Sequence, residues 1–296
     1  MSNTGPGDVL VAVEDPAQVA QLVRTAGDLA RARDGRVRLI TVVVKPPNSP
    51  FGMFSDETII EEFAADSHKL LESAPDIEDV AIVRDLVVAR NVSDGIVSAV
   101  KNTSPSALLI GWDSDPSRSD ALLGTTVDSV FARATTDVYA ERMGREAGEV
   151  TSILVPVAGG PHVDATVTGA GAIAAGNDAS VTVLSVGAEE TDRNEARAFA
   201  EASAATLTDR FGTSITVETA VRTGEHVEDE IVAAAEGHDV IMLGATRQGV
   251  LRGRLVGSVP RRVVRDTDQT VIVARGKGGT SGRLARLVSR IGRSGL

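Results

Sequence analysis

VLVAVE at residues 9–14 and ILVPVA at residues 153–158 are one short apolar run written twice, 144 residues apart. Each is too short for a helix and rich in aliphatic and β-branched side chains, which marks a strand buried on both faces. A second pair, ALLIG at 107–111 and VIMLG at 240–244, recurs at an offset of 133, and each copy ends in glycine, as parallel strands feeding a loop often do. Internal repetition at this spacing divides the 296 residues into two domains of ordinary size. The 11-residue difference between the offsets is assigned to PPNSPFGMFSD at 46–56, a turn-rich stretch with no counterpart after Val186. It is predicted to be an inserted loop.

Both halves share one rhythm. After the first strand comes a helical segment, then a strand (37–44 and 180–186), a long helical segment (57–73 and 191–211) and a third strand. Shorter helices at 92–101 and 227–236 lead to the paired glycine-ended strands, and each half closes on a β-rich run, 137–140 or 270–274. Alternation of this kind predicts parallel βαβ units. The expected architecture is α/β: two tandem, doubly wound, Rossmann-like domains, each with a five-stranded parallel sheet. The first domain is assigned to residues 1–143 and the second to 150–275, with a linker near 142–149 containing Gly144 and Gly148 and a basic tail at 276–296.

Composition narrows the chemistry. There are no cysteines, which excludes disulfides and thiolate catalysis. No apolar run approaches the roughly 20 residues of a membrane span, and the polar start lacks the order of a secretory signal, so a cytoplasmic protein is expected. Net charge is −11, and only four of the 30 basic residues are lysine, a balance resembling that of proteins from halophilic microbes. An acidic body repels phosphodiester backbones, so nucleic acid is not an expected partner. His68, His162, His226 and His238 are scattered without metal-ligand spacing and are read mainly as surface residues. No nucleophile, base and orienting group can be assembled, and no catalytic role is assigned. Trp112 is read as a packing residue at a strand end.

Beyond the strand at 240–244 the second half runs GATRQGVLRGRLVGSVP from Gly244 to Pro260. This resembles the universal stress protein family, whose nucleotide-binding members carry G-x2-G-x9-G-[ST] after the fourth strand. Gly244, Gly257 and Ser258 fall at that spacing, with Arg247 in place of the middle glycine. The first half keeps the frame as Gly111, Ser114, Gly124 and Thr125. Glycines let a backbone approach phosphate oxygens, and free amides at a helix start form an anion-binding concavity. The loop charges separate the copies: residues 244–258 hold Arg247, Arg252 and Arg254 with no acid, whereas 111–125 hold Asp113, Asp115 and Asp120 against Arg118. A polyphosphate therefore favours the second copy.

The resemblance implies a pocket lined by Pro156, Val157, Val186, Leu243, Gly244, Arg247, Gly257, Ser258 and Val259, with ATP or another adenine nucleotide as ligand. Family members that hold ATP generally carry an Asp after the Pro-Val pair, where this chain has Ala158, so one nucleoside contact is missing. Arg247 either compensates through a charge-assisted bond to phosphate or obstructs the approach that glycine permits. In the first half Glu14 stands where the family acid would sit, opposite an acidic loop, and Gly111, Ser114, Gly124 and Thr125 read as a degenerate site. No GxGxxG follows either first strand and there is no P-loop, so other dinucleotide and NTPase readings fail. Two functions stay open: a regulator that responds to an adenine nucleotide, weak ATP hydrolysis included, or a scaffold without nucleotide, such as a partner of a membrane transporter. Since family dimers pair two such domains, this chain is expected to form an intrachain pseudo-dimer, present either as a monomer or as a homo-oligomer of such pairs.

The tail stands apart. Arg275, Lys277, Arg283, Arg286, Arg290 and Arg293 give the last 22 residues a charge of +6 with no acid. At 100° per residue Leu284, Leu287, Val288 and Ile291 fall on one side of a helix and Arg283, Arg286, Arg290 and Arg293 on another. Such a segment suits an anionic membrane surface, an acidic groove on a partner, or the acidic body of the protein itself.

Overall fold

The computed structural model describes residues 5–45, 53–112, 124–144, 149–245 and 257–277. The chain divides into two compact units, Met1–Glu141 and Arg142–Leu296. The first contains β1 (Val9–Ala12), α1 (Pro16–Arg31), β2 (Val37–Val44), α2 (Asp56–Phe63), α3 (Ala65–Glu72), β3 (Ile82–Ala89), α4 (Val92–Thr103), β4 (Ala107–Trp112), α5 (Gly124–Arg133) and β5 (Asp137–Arg142), whose last residue, Arg142, already belongs to the second unit. The second contains β6 (Ser152–Pro156), α6 (Val163–Asn177), β7 (Ser180–Gly187), α7 (Arg193–Phe211), β8 (Thr216–Thr223), α8 (Val227–Ala235), β9 (Val240–Gly244), α9 (Ser258–Asp266) and β10 (Thr270–Arg275). The strand order is β3-β2-β1-β4-β5 in one and β8-β7-β6-β9-β10 in the other, the same winding twice.

Pairing registers reproduce the sequence offsets. Val9 lies opposite Val37 and Ala107, while Ile153 lies opposite Val181 and Val240, with all four pairings parallel. The offset is thus 144 for the first two strands of each unit and 133 for the fourth. Val37 faces Ile82 and Val181 faces Val217, an offset of 135 for the third strand. Nine of the 11 extra residues therefore lie between β2 and β3, where the insertion was assigned, and two lie between β3 and β4. Residues 46–52 of that insertion are outside the described residues.

The cores follow from burial on both faces of the inner strands. Val9, Leu10 and Val11 are fully buried, as are Ile153, Leu154 and Val155, each contributing roughly 1.5–3 kcal/mol of transfer free energy. On α1 the buried set Val19, Leu22, Val23, Ala26, Leu29 and Ala30 has helical spacing. Asp15 caps that helix by accepting from Ala17 N at 2.9 Å, and Pro16 supplies a preset first turn. In α6 small residues replace this stripe, since a Cβ on Gly171 would meet the Phe211 ring at 2.2 Å. Glycine there lets α7 pack close.

The single helix expected over 57–73 is two short ones, α2 and α3, interrupted at Ala64 with φ −102° and ψ 21°. Ile59 and Leu71 are both buried, yet on an unbroken helix 12 positions at 100° each would set them about 120° apart. The break turns both toward the sheet and buries Ala64 between them. Among the described residues no helix is long and apolar enough to cross a membrane.

Candidate functional site

Parallel strands bring their C-terminal ends to one edge of the sheet, and in the second unit that edge gathers most of the residues expected at the site. Leu154 pairs with Thr182 and Ile241, so two residues onward Pro156 stands level with Leu184 and Leu243. Val157 continues beyond β6, its amide donating to Leu184 O at 2.8 Å, and is buried. The equivalent bond in the first unit, Val13 N to Ile40 O at 2.9 Å, again lies 144 residues back. Val186, near the end of β7, is partly exposed on the same edge, and Ala158 is exposed. Gly159 and Gly160 follow with φ of +75° and +96°, a left-handed pair that only glycine adopts freely; a Cβ on Gly159 would also press the Phe199 ring at 2.7 Å.

Gly244 closes β9, and its strand-end position has a packing cause. A Cβ there would lie 3.2 Å from Thr166 Oγ1 and 3.5 Å from His162 Cβ, both on the first turns around α6. In the first unit a Cβ on Gly111 would lie 2.3 Å from Gln18 Oε1 and 3.0 Å from Leu22 Cδ1. Gln18 and His162 are 144 residues apart, as are Leu22 and Thr166, so the same two helix positions bound the glycine in each unit. The four histidines were read mainly as surface residues; His162 is the buried one, 7% exposed, its backbone carbonyl taking both the Thr166 amide and hydroxyl and its Nδ1 accepting from the Gly276 amide at 3.3 Å. Its burial follows from its place just before α6, against the end of β9 at Gly244. His68 and His226 are exposed as expected, and His238 partly so.

On the far side of the loop, buried Gly257 precedes α9, exposed Ser258 begins it and Val259 is partly exposed. Gly257 at the N-cap offers no side chain to cap this helix and its first turn holds no acid, while Pro260 at the third position has no amide hydrogen to give. The Ser258 hydroxyl donates to Glu228 Oε1 at 3.1 Å, and Arg262 pairs with Asp229 at 2.9 Å, tying α9 to the first turn of α8. Glu228 carried no motif signal in the sequence. Arg247 lies outside the described residues.

The first unit departs from this layout. Glu14 is exposed after β1, and the neighbouring Asp15 is committed to the α1 cap. Gly111 is in β4, Gly124 opens α5 and Thr125 is exposed in its first turn, while Ser114 lies outside the described residues. Trp112, at the end of β4, is buried, as a packing residue would be. Among the described residues no group of His, Asp or Glu side chains could hold a metal ion.

Comparison with known proteins agrees with this geometry. The Universal stress protein family pattern matches residues 7–140 and again 149–275. A universal stress protein from Archaeoglobus fulgidus is similar in structure, with 17% identity, a TM-score of 0.60 and coverage of 92% of this chain and 99% of that one. The cytoplasmic domain of a prokaryotic cation chloride cotransporter is similar at 13% identity and a TM-score of 0.57, covering 94% of this chain and 98% of that one. No curated protein matched the chain. With the pattern matched twice over nearly its whole length, the chain belongs to the universal stress protein family, in the tandem form with two domains in one polypeptide.

Proposed function

We propose that the protein is a nucleotide-responsive regulator, not an enzyme, and that its C-terminal unit binds an adenine nucleotide through the stretch from Gly244 to Ser258. The observation that carries this is the start of α9: a helix N-terminus with no side-chain cap and no acid in its first turn, preceded by Gly257. Oriented amides there suit a phosphate, and Arg247, Arg252 and Arg254 add positive charge in the connecting sequence. The acidic counterpart in the first unit makes one site per chain the expectation. Isothermal titration with ATP, ADP and AMP tests it. One site per chain, weakened by Arg247→Glu, is the expected result; no heat and no rise in melting temperature with any of the three at millimolar concentration rejects it.

A second reading has its own support. Glu228 already occupies the Ser258 hydroxyl, and Ala158 offers no carboxylate to a nucleoside. The fold also serves as the cytoplasmic domain of a cation chloride cotransporter. A regulatory scaffold that works on a transporter without nucleotide is the function left standing if titration fails.

A further inference from the structure

β8 is the outer strand of the second unit, and among the described residues no strand pairs with its far edge. Its register against β7 runs without a bulge from Ser180 opposite Thr216 to Gly187 opposite Thr223. Just past it the Gly224 amide donates to Gly187 O at 3.0 Å. Backbone groups alternate sides along a strand, so the even-numbered residues of β8 turn their amides and carbonyls toward β7. Val217, Thr219, Val221 and Thr223 turn theirs outward. Natural edges are commonly blunted by proline, lysine, a bulge or a very short strand. TVETAVRT at 216–223 has none of these and consists mostly of Thr and Val, which favour extended backbone. The matching third strand of the first unit, β3, commits its charges to its own unit: Arg38 holds Asp85, and Arg84 donates to Leu71 O and Ala74 O. On β8 the two charged residues, Glu218 and Arg222, share one face, are both exposed and stand symmetrically about Ala220. Arg222 reaches Glu230 of α8 at 3.5 Å, the long end of an ion pair, and among the described residues Glu218 makes none.

We infer that β8 pairs antiparallel with β8 of a second copy of this chain, about a two-fold axis through Ala220. A two-fold contact must be self-complementary, and this strand is so in backbone and in charge. In that register Val217 lies opposite the second copy's Thr223 and Thr219 opposite its Val221, so the outward amides of each strand meet outward carbonyls of the other. Glu218 lies opposite the second copy's Arg222, and Arg222 opposite its Glu218. Both ion pairs occupy the positions between hydrogen-bonded pairs, where facing side chains stand nearest. Moving the axis to Thr219 or Val221 keeps the backbone bonds but sets Glu218 against Ala220 or Gly224, so the charges select the register.

Sedimentation velocity of the full-length chain over a range of protein concentrations tests this, with a reversible dimer as the expected result. Glu218→Arg alone sets two guanidinium groups against each other and Arg222→Glu alone two carboxylates. Each should weaken the dimer roughly tenfold. Glu218→Arg/Arg222→Glu restores the opposition with reversed signs, and the affinity with it. Thr219→Pro removes an outward amide hydrogen and leaves the bonds from β8 to β7 in place. It should abolish the dimer while the far-ultraviolet circular dichroism stays that of the parent; if proline disturbs that spectrum, the charge series decides alone. A parent still monomeric at about 1 mM overturns the proposal. So does a dimer that tolerates Thr219→Pro, or a loss in the single charge variants that the double variant does not restore.

Discussion

Ser258, the first residue of α9, gives its hydroxyl hydrogen to Glu228 in the first turn of α8 across 3.1 Å. A phosphate approaching the α9 amides must therefore share the hydroxyl with a carboxylate of its own sign. Replacing Glu228 by Gln keeps an acceptor for Ser258 and removes the repulsion, which at this partly exposed position is worth about 1 kcal/mol, or roughly fivefold. Glu228→Gln is expected to tighten ATP binding by that factor in titration. The gap between variant and parent should narrow as salt rises, because screening weakens the repulsion. Weaker binding by Glu228→Gln would mean the carboxylate holds the ligand.

Much of this fold was legible because buried parallel strands write a nearly continuous apolar run, and two such runs at offsets of 144 and 133 reappear unchanged as pairing registers. The break at Ala64 was not legible. Residues 57–73 favour helix throughout, and the interruption comes from turning Ile59 and Leu71 to the same core. At the site the glycines flanking the loop could be read from spacing, whereas His162 and Glu228 reach it from other elements. The repeat held an unused signal: Gln18 and His162 are equivalent by the same offset that aligned β1 with β6.

Arg142 shows the same limit. Sequence made it the start of a linker, yet its Nη1 donates to Val264 O at 2.7 Å and its Nη2 to Thr267 O and Gln269 O at 2.8 Å each. Burial pushes its guanidinium below the ordinary arginine range, with Asp268 acting the other way. One carbonyl near the end of α9 and two in the turn before β10 thus depend on one planar fork. Arg142→Met is expected to destabilise the protein by about 3 kcal/mol, since it leaves buried acceptors unmet. Arg142→Lys should recover little of this, because one ammonium cannot reach three divergent oxygens. Urea unfolding followed by far-ultraviolet circular dichroism measures both. A loss under about 0.5 kcal/mol for Arg142→Met, the range of an ordinary surface change, would show that water replaces the fork without cost.

Glu141, one residue earlier, is a carboxyl 1% exposed against α1. Burial pushes it up to about 7 from 4.5; hydrogen bonds from Gln21 and Thr25 and the charge of Arg24 pull it down, and Asp28 pushes it up. Gln21 Nε2 donates to its Oε1 at 2.7 Å. Between pH 4.5 and 7 the folded chain keeps a proton that the unfolded chain releases, so stability falls as pH rises through this window and levels off above it. The full swing is roughly 3 kcal/mol, taking 1.36 kcal/mol per pH unit. Asp8, held below the ordinary aspartate value by Arg36 and the Gly5 amide against the opposing effect of burial, loses its contribution only at lower pH, so the two slopes are separable. The one tryptophan, Trp112, is buried in the same unit and reports its unfolding by fluorescence. Urea midpoints read this way should drop from pH 5 to pH 7.5 in the parent and stay nearly level in Glu141→Gln, which should be the more stable of the two at pH 8. Parallel slopes for both proteins would assign the pH dependence to groups other than Glu141.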